Sequence, residues 1–251
     1  SLPNAETMHK VELSVPLRVY SSSGGLISQI GEQRRIPVTY EQIPEHVRQA
    51  VLAAEDDRFF EHSGVDWMGV ARAMAVNVAT ADAGQGGSTI TQQAARNMFL
   101  SLDKTLRRKL SEVFLTSRVE EDFTNEQIPA TYLNVIFFGQ RSYGIAAAAE
   151  TFYGKRLEDL TVGQAATLAG IVQLPSRYNP VSNPKGAEMR RGYVLRRMTQ
   201  LGYIDEETAA AAAKEPAFAE AMKKQGTDVR YMDRATYSDW LKKNDDLNRN
   251  L

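Results

Sequence analysis

The chain has 251 residues, 43% hydrophobic and 24% charged, with a formal net charge of −1. That composition excludes wholesale disorder and a bulk-basic nucleic-acid binder, and the length suffices for a real core. The absence of Cys excludes disulfide frameworks, Cys-based zinc sites, iron–sulfur clusters and thiol nucleophiles.

Two short alternating runs, Leu17–Tyr20 and Leu26–Ile30, flank the Ser/Gly stretch 21–25 and predict a β-hairpin. Pro37 and Pro44 punctuate the entry to helices. From Glu45 the helical period takes over. Apolar residues recur at helical spacing at Trp67, Val70, Ala71, Met74 and Val78, then at Leu106, Leu110, Val113 and Phe114, then from Val162 to Val172. A further helix is expected over 187–201, stopped by Gly202, and the alanine run 209–213 reads as helix. The fold predicted is mainly α with a small β entrance. No run approaches the ~18–20 apolar residues of a membrane span.

Four clusters carry chemical potential. Residues 55–66 gather Glu55, Asp56, Asp57, Glu61 and Asp66 with Arg58 and His62. A solvated, acid-rich helix end is one reading. Phe59 and Phe60 favour another, because they would draw the segment inward, and half-buried carboxylates have raised pKa values suited to proton transfer. The second cluster, Gly86 to Gln93, is a Gly-rich turn followed by hydroxyl residues. It suits a helix N-cap, and such an N-terminus also suits phosphate. The third, Arg108, Lys109 and Glu112, spaces cations and an acid one helical turn apart. It reads as a salt-bridged face or as an anion site. The fourth is an apolar stretch, Met98 to Leu106, beside those cations. It reads as core or as a lipid-facing surface.

In this order the segments resemble the peptidoglycan glycosyltransferases of family 51, as found in class A penicillin-binding proteins of the bifunctional type. The first motif is matched at Glu55, Asp56, Phe59, His62, Gly64 and Asp66, the second from Gly86 to Gln93 with Arg96 and Asn97 following. The third is matched at Arg108, Lys109 and Glu112, and a fourth in part at Glu126, Ile128, Tyr132, Leu133 and Asn134. The stretches 143–155, 160–170 and 175–180 fit the remainder, so the resemblance covers about residues 17–216.

The resemblance implies a lysozyme-like helical head lobe, a smaller membrane-associated jaw lobe and a short N-terminal β-hairpin. It implies residues 1–40 as hairpin and linker after a transmembrane helix preceding Ser1, residues 41–216 as the glycosyltransferase domain, and 217–251 as an appendage of unknown role. The implied reaction polymerises lipid II into β-1,4 glycan with inversion and release of undecaprenyl pyrophosphate. Glu55 would be the general base. Glu112 would assist the leaving group, directly or as ligand of a pyrophosphate-bound Mg or Mn ion, with no organic cofactor. Asp56, Phe59, His62, Thr89, Gln93, Arg96, Arg108 and Lys109 would bind or frame the substrate. The implied partners are lipid II and the growing glycan chain, moenomycin-type inhibitors, and a membrane met around Met98–Leu106, with no nucleic acid. The implied location is the periplasmic face of the bacterial inner membrane.

Two departures bear on the structure. Pro129-Ala130 stands where the family has Leu-Glu, and a helix-interior Pro would cost roughly 3 kcal/mol unless the helix starts there. Gln164 replaces a common Glu. Two other readings stay open on sequence: a lysozyme-like hydrolase or lytic enzyme, and a non-catalytic lipid II-binding scaffold.

Overall fold

The computed structural model describes residues 17–20, 22, 26–30, 34–71, 87–99 and 106–216, with the backbone alone at 17–20, 26–30 and 106–110. The expected appendage at 217–251 lies outside the described residues, as do the apolar positions Met74 and Val78. The fold is mainly α, as the periodicity predicts. Strands β1 (Leu17–Tyr20) and β2 (Leu26–Ile30) form the expected antiparallel hairpin, with Leu17 opposite Ile30.

Helices α1 (Glu45–Glu55), α2 (Ile90–Phe99), α3 (Leu106–Asp122) and α4 (Gln127–Val135) follow. A second small sheet comes next. Strand β3 (Arg34–Arg35) pairs in parallel with β5 (Ser142–Tyr143), which pairs antiparallel with β4 (Phe137–Gly139). The β4–β5 turn was not visible in the sequence. Its central residues, Gln140 and Arg141, take φ of 50° and 62°, a left-handed conformation usually marked by Asn-Gly. Helices α5 (Ile145–Tyr153), α6 (Val162–Ile171), α7 (Pro184–Gln200) and α8 (Glu206–Ala213) complete the described chain.

Helix α6 is the centre of the core. Gly163, Ala165–Gly170 and Ile171 are all buried, so it is enclosed on every side rather than amphipathic. Its small residues let α1 and α7 pack closely against it. The same core holds fully buried Tyr132, Phe138, Ile145 and Phe152, with Leu168 of α6 itself. Burying each such large side chain stabilises the fold by about 1.5–3 kcal/mol.

Local signals set the helix ends. Asn183 accepts from Gly186 N–H at the start of α7, Pro184 occupies its first turn, and Gly202 follows its end at φ 73°. Asp205 accepts from Thr208 N–H to cap α8. Pro129 is the third residue of α4, where the backbone N–H has no acceptor within the helix. The conditional cost of an interior Pro therefore does not arise. Ala130 is buried in the core.

Of the apolar series that starts at Trp67, Val70 is half-buried and Trp67 itself faces outward. Trp67 is 70% exposed, Met68 69% and Phe60 58%. No helix of the described residues is long and apolar enough to cross a membrane.

Candidate active site

Helix α1 ends at Glu55, and Asp56 turns the chain out of it at φ −161°. The two carboxylates part at this point. Glu55 Oε2 accepts from Gln93 Nε2 on α2 at 2.9 Å. Its Oε1 is buried and has no hydrogen-bond donor among the described residues. Burial is the main reason the Glu55 pKa is raised above its ordinary value, and the Gln93 bond and the cations Arg190 and Arg96 oppose that rise.

Gln93 is itself held. Its Oε1 accepts from Tyr132 Oη at 3.3 Å and its backbone carbonyl from Asn97 Nδ2 at 2.7 Å. The Tyr132 hydroxyl is pushed well above its ordinary pKa, by burial first and by Glu55 second, so it stays a neutral donor. Glu55, Gln93 and Tyr132 thus form one relay across α1, α2 and α4.

Asp56 has both oxygens engaged. Oδ1 accepts from His62 Nε2 at 2.9 Å, and Oδ2 from the Ile90 N–H at 3.0 Å, thirty-four positions on. Its pKa is raised by burial, against the pull of those two bonds. Asp56 therefore joins the end of α1 to the start of α2 and anchors His62. Phe59 is buried beneath the turn, in edge contact with Phe60 and with the His62 ring.

Thr89 is buried as the cap of α2. Its hydroxyl donates to the Gly64 carbonyl at 2.5 Å and accepts from Gln92 N–H at 3.2 Å. Gly64 takes φ +76°, and a Cβ there would stand 2.7 Å from Thr116 Cγ2 on α3. Only glycine permits both that conformation and that approach. Asp66 is buried, lies 3.4 Å from Arg58 Nη1 and accepts from Gly69 N–H.

Glu112, on α3, is wholly buried, and its carbonyl accepts from the Thr116 hydroxyl at 2.7 Å. Arg96 is half-buried near the end of α2 and acts on both Glu55 and Tyr132. Arg108 and Lys109 sit on the first turn of α3, with their side chains outside the described residues. Of the apolar stretch Met98–Leu106, Met98 and Phe99 are half-buried and residues 100–105 lie outside the described residues.

The structure therefore brings Glu55, Asp56, Phe59, His62, Thr89, Gln93 and Arg96 into one connected cluster. Two contributors were missed in the sequence. Arg197 on α7 pairs with Asp57 just after the α1 end. Arg190, also on α7, acts on Glu55. Neither has a local signature, because a helix carrying Arg190, Arg191, Arg196 and Arg197 reads as a solvated basic face.

A family model described as transglycosylase matches residues 23–199, which includes every residue of this cluster. The chain belongs to the transglycosylase family. Similar curated proteins include penicillin-binding protein 1A of Escherichia coli, 47% identical over 206 residues, covering 82% of this chain and 24% of that protein. The protein of the same name from Pseudomonas aeruginosa is 44% identical over 216 residues, covering 86% and 26%. A crystal structure of penicillin-binding protein 1A from Haemophilus influenzae matches with TM-score 0.45 and 28% identity, covering 90% of this chain and 26% of that one. The transglycosylase chain thus spans about a quarter of the length of these relatives. Family membership makes this a domain of the transglycosylase class, the class that the motifs led one to expect, and the clustered carboxylates and cations are its candidate site.

Proposed function

We propose that this transglycosylase domain is a peptidoglycan glycosyltransferase that polymerises lipid II into β-1,4 glycan, with inversion at the anomeric carbon and release of undecaprenyl pyrophosphate. The observation that carries the reading is the state of Glu55: one oxygen fixed by Gln93, the other buried without a donor among the described residues, and the carboxyl biased toward holding a proton. A base oriented through one oxygen keeps the other for an incoming hydroxyl.

In the proposed step, the acceptor 4-hydroxyl gives its proton to Glu55 Oε1. The alkoxide oxygen forms a bond to the donor anomeric carbon from the face opposite the pyrophosphate. The bond from that carbon to the pyrophosphate oxygen breaks, and its electron pair leaves with the pyrophosphate. Displacement on one face inverts the centre. Charge developing on the leaving group needs fixed cations, the role proposed for Arg96, Arg108 and Lys109. Asp56, His62, Phe59 and Thr89 act by holding the turn and the α2 start, since their polar atoms are largely committed to internal bonds.

Among the described residues no three His, Asp or Glu side chains cluster as a metal cage. A single buried carboxylate, Glu112, fits the pattern of a Mg-type ion held by one protein ligand and substrate phosphates. Such an ion would neutralise pyrophosphate charge. The exposed apolar group Phe60, Trp67 and Met68 supports contact with a bilayer. A periplasmic location at the inner membrane, and inhibition by moenomycin-type phosphoglycolipids, follow from the same reading.

The test is incubation with labelled lipid II in detergent, with and without Mg²⁺ or Mn²⁺, and separation of products on a gel. A ladder of long glycan is the expected result. Cleavage of purified peptidoglycan without polymerisation would instead make the domain a hydrolase, and binding without turnover would make it a scaffold.

A further inference from the structure

Arg190 and Arg191 are neighbours on α7 with different surroundings. Arg191 is buried and donates to the Glu215 and Ala213 carbonyls at 2.6 and 2.7 Å, closing the end of α8. Arg190 turns toward α6. Its stem fits because residue 170 is glycine: a Cβ there would lie 2.9 Å from Arg190 Cγ and 3.4 Å from its backbone carbon. Its Cζ lies 4.2 Å from the Tyr193 ring centre and 5.9 Å from that of Tyr178. Stacked rings hold a planar cation in place.

The Nε–H of Arg190 is buried and has no acceptor among the described residues. Folded proteins rarely leave such a donor unmet, so it calls for an explanation. The half-met carboxylate on which Arg190 acts is Glu55. Helix α7 packs against α1, and Arg197, about two turns on from Arg190, pairs with Asp57 just after the α1 end, so the unmet donor and the base oxygen without a donor lie on facing helices.

We propose that Arg190 is a substrate-binding residue on the base side of the site, where its guanidinium donates to an oxygen of the acceptor sugar beside the hydroxyl that Glu55 deprotonates. The proposal rests on the polymerase reading, because it needs an acceptor at that place. It assigns three jobs to one side chain: the apolar stem packs at Gly170, the rings fix the plane, and the guanidinium reads the acceptor. Arg190 also supports the ionised form of Glu55, together with Arg96 and Gln93 on α2 and against Asp56.

Labelled lipid II in detergent is titrated against Glu55→Gln and against Glu55→Gln/Arg190→Met. Methionine keeps an unbranched stem and removes the guanidinium. The single variant is expected to bind, and the double variant to bind about ten- to a hundredfold more weakly, the range for a lost charge-assisted hydrogen bond. Equal affinities overturn the role of Arg190 and leave the polymerase reading standing. No binding by either, with no glycan ladder from the wild type, removes the polymerase reading itself.

Kinetics of Arg190→Met and Arg190→Lys separate binding from packing. In Arg190→Met, KM for lipid II is expected to rise more than kcat falls, and the acid limb of the pH profile to move to higher pH. Arg190→Lys is expected to restore the pH limb and not KM, since it returns the charge without the planar fork. A lowered melting temperature with KM and the pH limb unchanged would make Arg190 a packing residue only.

Discussion

Two helix starts in this transglycosylase domain are built to the same local plan and differ in everything beyond it. At α6, Thr161 and Gln164 form a capping box: Thr161 N–H donates to Gln164 Oε1 at 3.0 Å, and Gln164 N–H donates to Thr161 Oγ1 at 3.2 Å. At α2, Thr89 and Gln92 repeat it at 3.0 and 3.2 Å. The α6 box is exposed. The α2 box is buried, Asp56 reaches across to the Ile90 N–H, and the Thr89 hydroxyl bonds the Gly64 carbonyl. Each box satisfies its helix end. The additional bonds at α2 fix where that helix starts relative to Glu55. The Thr161 hydroxyl also reaches a distant partner, Glu215 just past α8, so what distinguishes the α2 start is that its long-range bonds run to the segment that carries Glu55.

The largest expected effect lies at the residue this arrangement serves. Glu55→Gln is expected to reduce polymerisation by at least ~10²–10⁴-fold, the usual contribution of a positioned base, while lipid II binding persists. Near wild-type glycan ladders from this variant would remove Glu55 as the base. Stability should move the opposite way. A carboxyl whose folded pKa is raised favours the fold below its unfolded pKa, and that contribution is lost as pH rises through the folded value. Glu55→Gln should therefore melt higher than wild type at neutral pH, with the gap closing as pH falls toward the ordinary value of 4.5. For the same reason the acid limb of wild-type kcat/KM should lie above 4.5.

Next in size is Asp56→Ala, which removes the long-range cap. The Ile90 N–H and His62 lose their acceptor inside the protein, each at about 1–3 kcal/mol for a buried unmet group. Denaturant melts should show the loss, and activity should fall with it because α2 carries Gln93. Full activity in a variant with the expected stability loss would mean that the α1–α2 link does not set the geometry of Glu55.

The paired variants Thr89→Ala and Thr161→Ala test the comparison directly. Thr161→Ala removes the cap and the exposed hydroxyl bond to Glu215, and should cost about 0.5–2 kcal/mol, the range of an ordinary cap loss, with unchanged turnover. Thr89→Ala should cost more, since the Gly64 carbonyl also loses its buried partner, and turnover should drop. Equal costs and equal turnover would dissolve the distinction between the two helix starts.

This contrast also explains what could be read from sequence. The helices, the first hairpin and the Gly86–Gln93 helix start were legible because period, turn residues and caps are local. So was the grouping of Glu55 with Gln93, through motif resemblance. The bond from Asp56 to Ile90, the Asp57–Arg197 pair and the placement of Arg190 were not, since each joins residues far apart in sequence. The β4–β5 turn was hidden for a different reason. Gln140 and Arg141 adopt positive φ without the residue types that advertise it, and the β3 and β4 pairings hold them there. The exposure of Trp67 was not legible either, because helical spacing identifies a face and not what covers it.

The smallest expected effect sharpens the local half of the comparison. Gln164→Glu installs the residue common in the family at the third position of the α6 box. Either side chain can accept from the Thr161 N–H, so the box should survive. The carboxylate adds a negative charge at a helix N-terminus, and Gln164 Oε1 already accepts from Lys155 Nζ at 3.1 Å. Both changes act in the stabilising direction, together worth about 0.3–1 kcal/mol at a half-buried position. Thermal melts should show a small rise that shrinks with added salt, and glycan synthesis should not change. A loss of stability would mean that Lys155 is held by the neutral amide for a reason other than charge. A change in synthesis would mean that this exposed helix start is coupled to the site after all.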